Sequence, residues 1–262
     1  MAENETPGGN HRPGPGDRGE IMVIGLGPGQ EAEMTTRARE ALARAQVIVG
    51  YRTYIDLIAT LVAGREVIVN GMTGEVARCR EAVARAAAGA RVAIVSSGDP
   101  GVYGMAGLVL EILAAHPGGK EIPVTIIPGV TAATAAAAAL GAPLMHDFAV
   151  ISLSDRLTPW EVISRRLEMA AAADFVLVLY NPRSHGRPDH LGRAREIILK
   201  YRQPTTPVGV VRNAGREGEV TWVRDLDTLL EVPVDMVSTV IVGNSQTRVL
   251  DGRLVTPRGY RV

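Results

Sequence analysis

From Ile21 onward the chain alternates short β-branched runs with longer segments rich in Ala, Leu and Arg, and that alternation admits few folds. Strands taking turns with helices build α/β architectures, because each helix carries the chain back along a face of the sheet. The pattern predicts strands at Ile21–Gly25, Val47–Val49, Glu66–Val69, Val92–Val95 and Val124–Ile127, with helices near Thr35–Ala45, Glu75–Ala88 and Met105–Ala115. In the third helix, Leu108, Leu110 or Glu111, Ile112 and Ala115 approximate one apolar face.

After Gly141-Ala142-Pro143 the texture changes, and this break is read as a domain boundary. Beyond it, strands are expected at Ala149–Leu153, Phe175–Leu179, Val208–Val211, Val220–Val223 and Val237–Val242, and helices at Pro159–Ala171 and Leu191–Tyr201. Thr158 is the expected cap of the first of these helices, with Pro159 at its first position. The expected organisation is therefore an extension over residues 1–19, an α/β domain over 20–142 and a second α/β domain over 143–262. The extension, rich in Gly, Pro, Asn and Glu, lacks the apolar centre of a signal peptide and reads as disordered.

Composition removes several functions. Of 262 residues 46% are hydrophobic, enough for packed cores, and no stretch is long and apolar enough to span a bilayer. Lys+Arg and Asp+Glu are both 28, so no net positive field recruits nucleic acid or an anionic membrane. Cys79 is the sole cysteine, which excludes an intrachain disulfide or a Cys-rich metal site and suits a reducing cytosol. The only lysines are Lys120 and Lys200, so there is no P-loop.

Three motifs follow strand ends, where open α/β sheets place their ligands. Gly25-Leu26-Gly27-Pro28-Gly29 is either a plain strand-to-helix turn or a ligand loop. The NAD reading fails, because Gln30 replaces the third glycine and Gly50-Tyr51 replaces the acidic residue that would hold a ribose. Ser96-Ser97-Gly98-Asp99-Pro100-Gly101-Val102-Tyr103-Gly104 exposes backbone amides and carbonyls beside the polar groups of Ser97 and Asp99, which suits a small zwitterionic ligand. The alternative is a turn in which Asp99 caps the following helix. In Ile127-Pro128-Gly129-Val130-Thr131-Ala132-Ala133 a strand enters a small-residue helix, as a flat ligand or a tight helix-to-sheet contact would require.

In this order the motifs resemble those of the class III tetrapyrrole methyltransferases, from about Ile21 to the C-terminus. Three further runs are similar to the branch of that family that methylates precorrin-3B at carbon 17: His146-Asp147-Phe148 through Trp160-Glu161, Leu179-Tyr180-Asn181-Pro182-Arg183-Ser184, and Gly50-Tyr51-Arg52-Thr53-Tyr54. The resemblance implies two α/β domains with an active-site cleft between them, a cytosolic homodimer, a corrin-precursor substrate and S-adenosylmethionine as methyl donor. Carried over by position, it assigns Pro28, Ser97, Gly98, Asp99, Val102, Thr131, Ala132, Tyr180, Asn181 and Ala214 to the cofactor, with Gly243 as a weaker member.

Members that methylate uroporphyrinogen place an aspartate where this chain has Tyr51, so a different chemistry on the macrocycle is expected. The reaction of the precorrin-3B branch also contracts the ring, which requires proton movement near the extruded carbon. His146 is the first acid/base candidate, beside Asp147, against a purely structural His-Asp pair. Tyr51, Ser154 and Asp155 follow, although Ser154-Asp155 also reads as a turn. Arginine forks suit the acetate and propionate groups of a corrin precursor, which points to Arg52, Arg183 and Arg187, with Ser154 as a further substrate contact. His185 and His190 lie in a polar loop with no cysteine to complete a site, so no protein-bound metal is expected. The competing functions are methylation of another corrin intermediate or of a protein side chain, and a noncatalytic tetrapyrrole carrier.

Overall fold

The computed structural model describes residues 19–71 and 74–261. Residues 1–18 of the expected extension lie outside this range, whereas Gly19 is buried against the backbone of Ala86 and Ala90 and so belongs to the fold. The first sheet comprises β1 (Glu20–Gly25), β2 (Val47–Tyr51), β3 (Glu66–Asn70), β4 (Arg91–Ser96) and β5 (Val124–Ile127), all parallel, in the order β3-β2-β4-β1-β5. Helices α1 (Thr36–Arg44), α2 (Arg52–Asp56), α3 (Glu75–Ala87) and α4 (Ala106–Ala115) connect these strands.

The period of two along each strand sends alternate side chains to opposite faces. Met22 and Ile24 of β1 pack with Ala38, Leu42 and Ile55 from α1 and α2, while Ile21 and Val23 pack with Cys79, Val83, Val109 and Leu113 from α3 and α4. The buried stripe of α4 is thus Ala106, Val109 and Leu113, whereas Leu110 and Ala115 are exposed. The expected face was rotated, because the sheet contacts the α4 side that carries Met105 and Val109.

The second sheet contains β7 (Phe148–Ser152), β8 (Val176–Tyr180), β9 (Pro207–Arg212), β10 (Val220–Asp225) and β11 (Ser238–Val242) in the order β10-β9-β11-β8-β7; β7 and β8 are parallel and the other pairs antiparallel. One face carries α6 (Trp160–Ala172), α7 (His190–Leu199) and the 3-10 segment Leu226–Glu231. The other carries α5 (Ala132–Leu140), beside a small sheet of β6 (Gly141–Ala142), β12 (Arg248–Leu250) and β13 (Arg253–Val255).

The described residues form two units, and the boundary differs from the expected one after Ala142. Leu26 and Met34–Gly129 belong to the first unit, Gly27–Glu33 and the chain from Val130 to the second. The reason is α5: Ala133, Ala136, Ala137 and Leu140 pack on Val176, Val178, Val211 and Ile241 of the second sheet. Gly141-Ala142 is a two-residue strand paired with Leu254-Val255. Thr158 does not cap α6; Pro159 is the N-cap residue, extended at ψ 144°, and no side chain caps the helix.

Candidate active site

In the first unit, β4, β1 and β5 are adjacent, so their carboxyl-end loops converge. A Cβ added at Gly25 would lie 2.6 Å from both Gly129 N and Gly98 O, and one at Gly129 would overlap Gly98 O. Gly98 itself is left-handed at φ 66°, a conformation that a side chain disfavours. Asp99 ties the loops together: Oδ1 accepts from Gly101 N–H at 2.8 Å and Oδ2 from Gly129 N–H at 3.1 Å. Asp99 therefore orders two loops rather than capping α4, whose N-cap residue is Met105. Ser97 and Val102 are half-buried in the same loop.

In the second unit, the Tyr180 hydroxyl accepts from Ala133 N–H at 2.7 Å and lies 2.7 Å from Thr131 Oγ1. A strand-borne phenol thus satisfies one of the free amides at the start of α5, while Thr131, the N-cap residue, makes no side-chain cap of its own. Asn181, left-handed at φ 52°, donates from Nδ2 to Ser152 Oγ at 2.9 Å, and Ser152 Oγ accepts from Ser154 N–H at 3.2 Å. The ends of the parallel strands β7 and β8 are joined in this way. The loop carrying Pro28 rests on the turn after β9, through Gln30 N–H to Gly215 O at 3.0 Å. Ala214 is buried in that turn. Gly243 packs on Thr247, and its carbonyl accepts from the buried Arg202, a role in the β11 terminus.

The acid/base candidates have separate surroundings. His146 is exposed; its Nδ1 accepts from Asp147 N–H at 2.8 Å and lies 3.5 Å from Asp147 Oδ2. Tyr51 is the residue before α2 and meets Tyr54 edge-on with ring centroids 5.4 Å apart, and Arg52 is exposed at the start of that helix. Asp155 Oδ2 lies 2.9 Å from Nε2 of the buried His190, and this contact holds its carboxyl below the usual carboxylate range. His190 packs edge-on against Trp160, and the Arg193 guanidinium lies 4.0 Å over the Trp160 ring. His146 and Asp155 share no hydrogen bond or ion pair among the described residues.

Arg183 is exposed at a cavity of 380 Å³ floored by Leu191, Leu230, Val232 and Val234. Arg187 Nε donates to Ser184 Oγ at 3.1 Å, and His185 is exposed. Cys79 is buried, and burial pushes its thiol up to about 11, which disfavours the thiolate. Sequence reasoning missed the Asp155-His190-Trp160-Arg193 cluster and the support that Gly215 and Arg216 give the first glycine loop. Both join segments far apart in sequence, and no local pattern marks them.

Residues 20–230 match the family described as Tetrapyrrole (Corrin/Porphyrin) Methylases. The chain belongs to this family. It is 52% identical over 240 residues to the probable cobalt-factor III C(17)-methyltransferase of Salmonella typhimurium, covering 92% of this chain and 99% of that protein. The crystal structure of the methyltransferase CobJ matches with a TM-score of 0.86 at 40% identity, over 91% of this chain and all of the other (100%). The uroporphyrin-III C-methyl transferase of Thermus thermophilus, solved with S-adenosyl homocysteine, matches with a TM-score of 0.69 at 25% identity, over 86% and 97% of the two chains.

Proposed function

We propose that the chain transfers a methyl group from S-adenosylmethionine to carbon 17 of precorrin-3B or cobalt-factor III, with ring contraction, in cobalamin biosynthesis. The observation that carries this reading is the 52% identity, across nearly the whole of both chains, to the probable cobalt-factor III C(17)-methyltransferase of Salmonella typhimurium. The cofactor assignment draws on the neighbour solved with S-adenosyl homocysteine and on strand-end loops that pack backbone against backbone, where a Cβ at Gly25 or Gly129 would collide with the neighbouring loop. When bound, the cofactor supplies an electrophilic methyl group.

The residues of the chain bind and align. Ser97, Gly98 and Val102 hold the amino-acid end and ribose of the cofactor, and Asp99 keeps their loop in register through the Gly101 and Gly129 amides. Pro28, Thr131, Ala132, Tyr180, Asn181 and Ala214 hold the remainder, with Tyr180 also fixing Thr131 and Ala133. Methyl transfer depends on alignment and on the exclusion of water, which rigid loops favour. Arg52, Arg183 and Ser154 take carboxylates of the macrocycle. His146 exchanges the proton for ring contraction at Nε2, since Nδ1 is engaged by the Asp147 amide; Tyr51 and Asp155 are the other proton-transfer candidates. A cytosolic homodimer belongs to the same proposal.

Calorimetry with S-adenosylmethionine tests the site. Asp99→Ala removes two hydrogen bonds to a charged acceptor and is expected to weaken binding about tenfold or more, in line with about 1.5–3 kcal/mol for such bonds. Wild-type affinity in both Asp99→Ala and Thr131→Val would show the site to be misplaced.

A further inference from the structure

We infer that Arg216 is a positioning residue for the cofactor: it clasps the Pro28 loop from the turn after β9 and sets that loop's geometry without touching the ligand. The inference rests on the proposed methyltransferase reading and adds to it a residue that the resemblance does not assign.

The turn is stiff. Asn213 and Gly215 are left-handed at φ 55° and 66°, Arg216 N–H donates to Asn213 O at 2.9 Å, and Gly215 N–H donates to Glu219 Oε2 at 2.7 Å. The loop it meets, Gly27–Glu33, packs as part of the same unit. Pro28 has no amide hydrogen, so its carbonyl is its only backbone hydrogen-bonding group. Arg216 Nε donates to that carbonyl at 2.6 Å, a charge-assisted bond. Two further contacts join the same segments: Gln30 N–H donates to Gly215 O at 3.0 Å, and the Arg216 stem packs at Gly29, where an added Cβ would lie 3.1 Å from Cδ. At Gly215 a Cβ would fall 2.5 Å from Pro28 Cγ, so turn and loop meet backbone to ring. Ala214, proposed to hold the cofactor, sits in this turn, and Arg216 thereby fixes the spacing between Ala214 and Pro28.

A clasp of this kind acts on binding rather than on chemistry. Arg216→Ala is expected to raise KM for S-adenosylmethionine about tenfold, to leave KM for the tetrapyrrole unchanged and to keep kcat at saturating cofactor within about twofold. Arg216→Lys, which keeps a cationic donor on a long stem, is expected to recover most of the affinity. S-adenosylhomocysteine titrated into wild type and both variants reads the effect without turnover, and thermal denaturation checks that each variant is folded; if Arg216→Ala unfolds, Arg216→Lys carries the comparison with a smaller expected loss. Equal binding by wild type and the folded variants would overturn the inference alone, as would a fall in kcat with KM unchanged. Failure of the wild type to bind S-adenosylhomocysteine would overturn the methyltransferase reading and this inference with it.

Discussion

Asp155 and His190 lie on different segments, and their contact secures the loop that carries Ser154 against the start of α7. The His190 contact lowers the Asp155 carboxyl in the folded chain, so its stabilising contribution is present above the unfolded carboxylate value of about 3.9 and is lost as pH falls through the depressed folded value. Carbon-13 NMR of the side-chain carboxylates should show Asp155 titrating below that reference, with His190→Phe returning it to the ordinary range; an unchanged titration in His190→Phe would rule out the His190 contact as the cause. The residue types at such positions were legible in the sequence, and Asp155 was singled out, but its partner was not. His190 was weighed there only as a metal ligand, because the contact that defines it arises from folding β7 and α7 together. Asp99 shows the same limit: its importance was legible, whereas its bond to Gly129 depends on two strand ends meeting at β1.

At the scale of elements, period and β-branching placed the main strands to within a residue or two, because most of them bury both faces, each face in a different hydrophobic cluster. Ends and faces were harder. The α4 stripe depends on which side the sheet approaches, and the start of α6 depends on an extended Pro159 rather than on the Thr158 side chain. The α5 cap is a tertiary feature, since the phenol of Tyr180 comes from β8. Tyr180→Phe removes that acceptor and leaves the Ala133 amide without it, which is expected to cost about 1 kcal/mol. Urea denaturation of the pair checks this, and equal midpoints and slopes would show that the cap does not stabilise α5.

At the scale of the molecule, two α/β units were legible from the change of texture, but the boundary was not, because Ala-rich α5 gives no sequence sign of which sheet it covers. Leu140 is buried among Val176, Val211 and Ile241, so Leu140→Ala is expected to destabilise the second unit by about 2–5 kcal/mol. Hydrogen exchange should then quicken in β9 and β11 while β1 and β4 keep their protection; faster exchange confined to the first sheet would return α5 to the first unit. The most direct test of the function is a single turnover with methyl-labelled S-adenosylmethionine, offered precorrin-3B and cobalt-factor III separately, with the product read by mass and carbon-13 NMR. The proposed activity predicts one labelled methyl at carbon 17 of a contracted ring from at least one of the two acceptors. Absence of label from both, or label at another carbon, would contradict it.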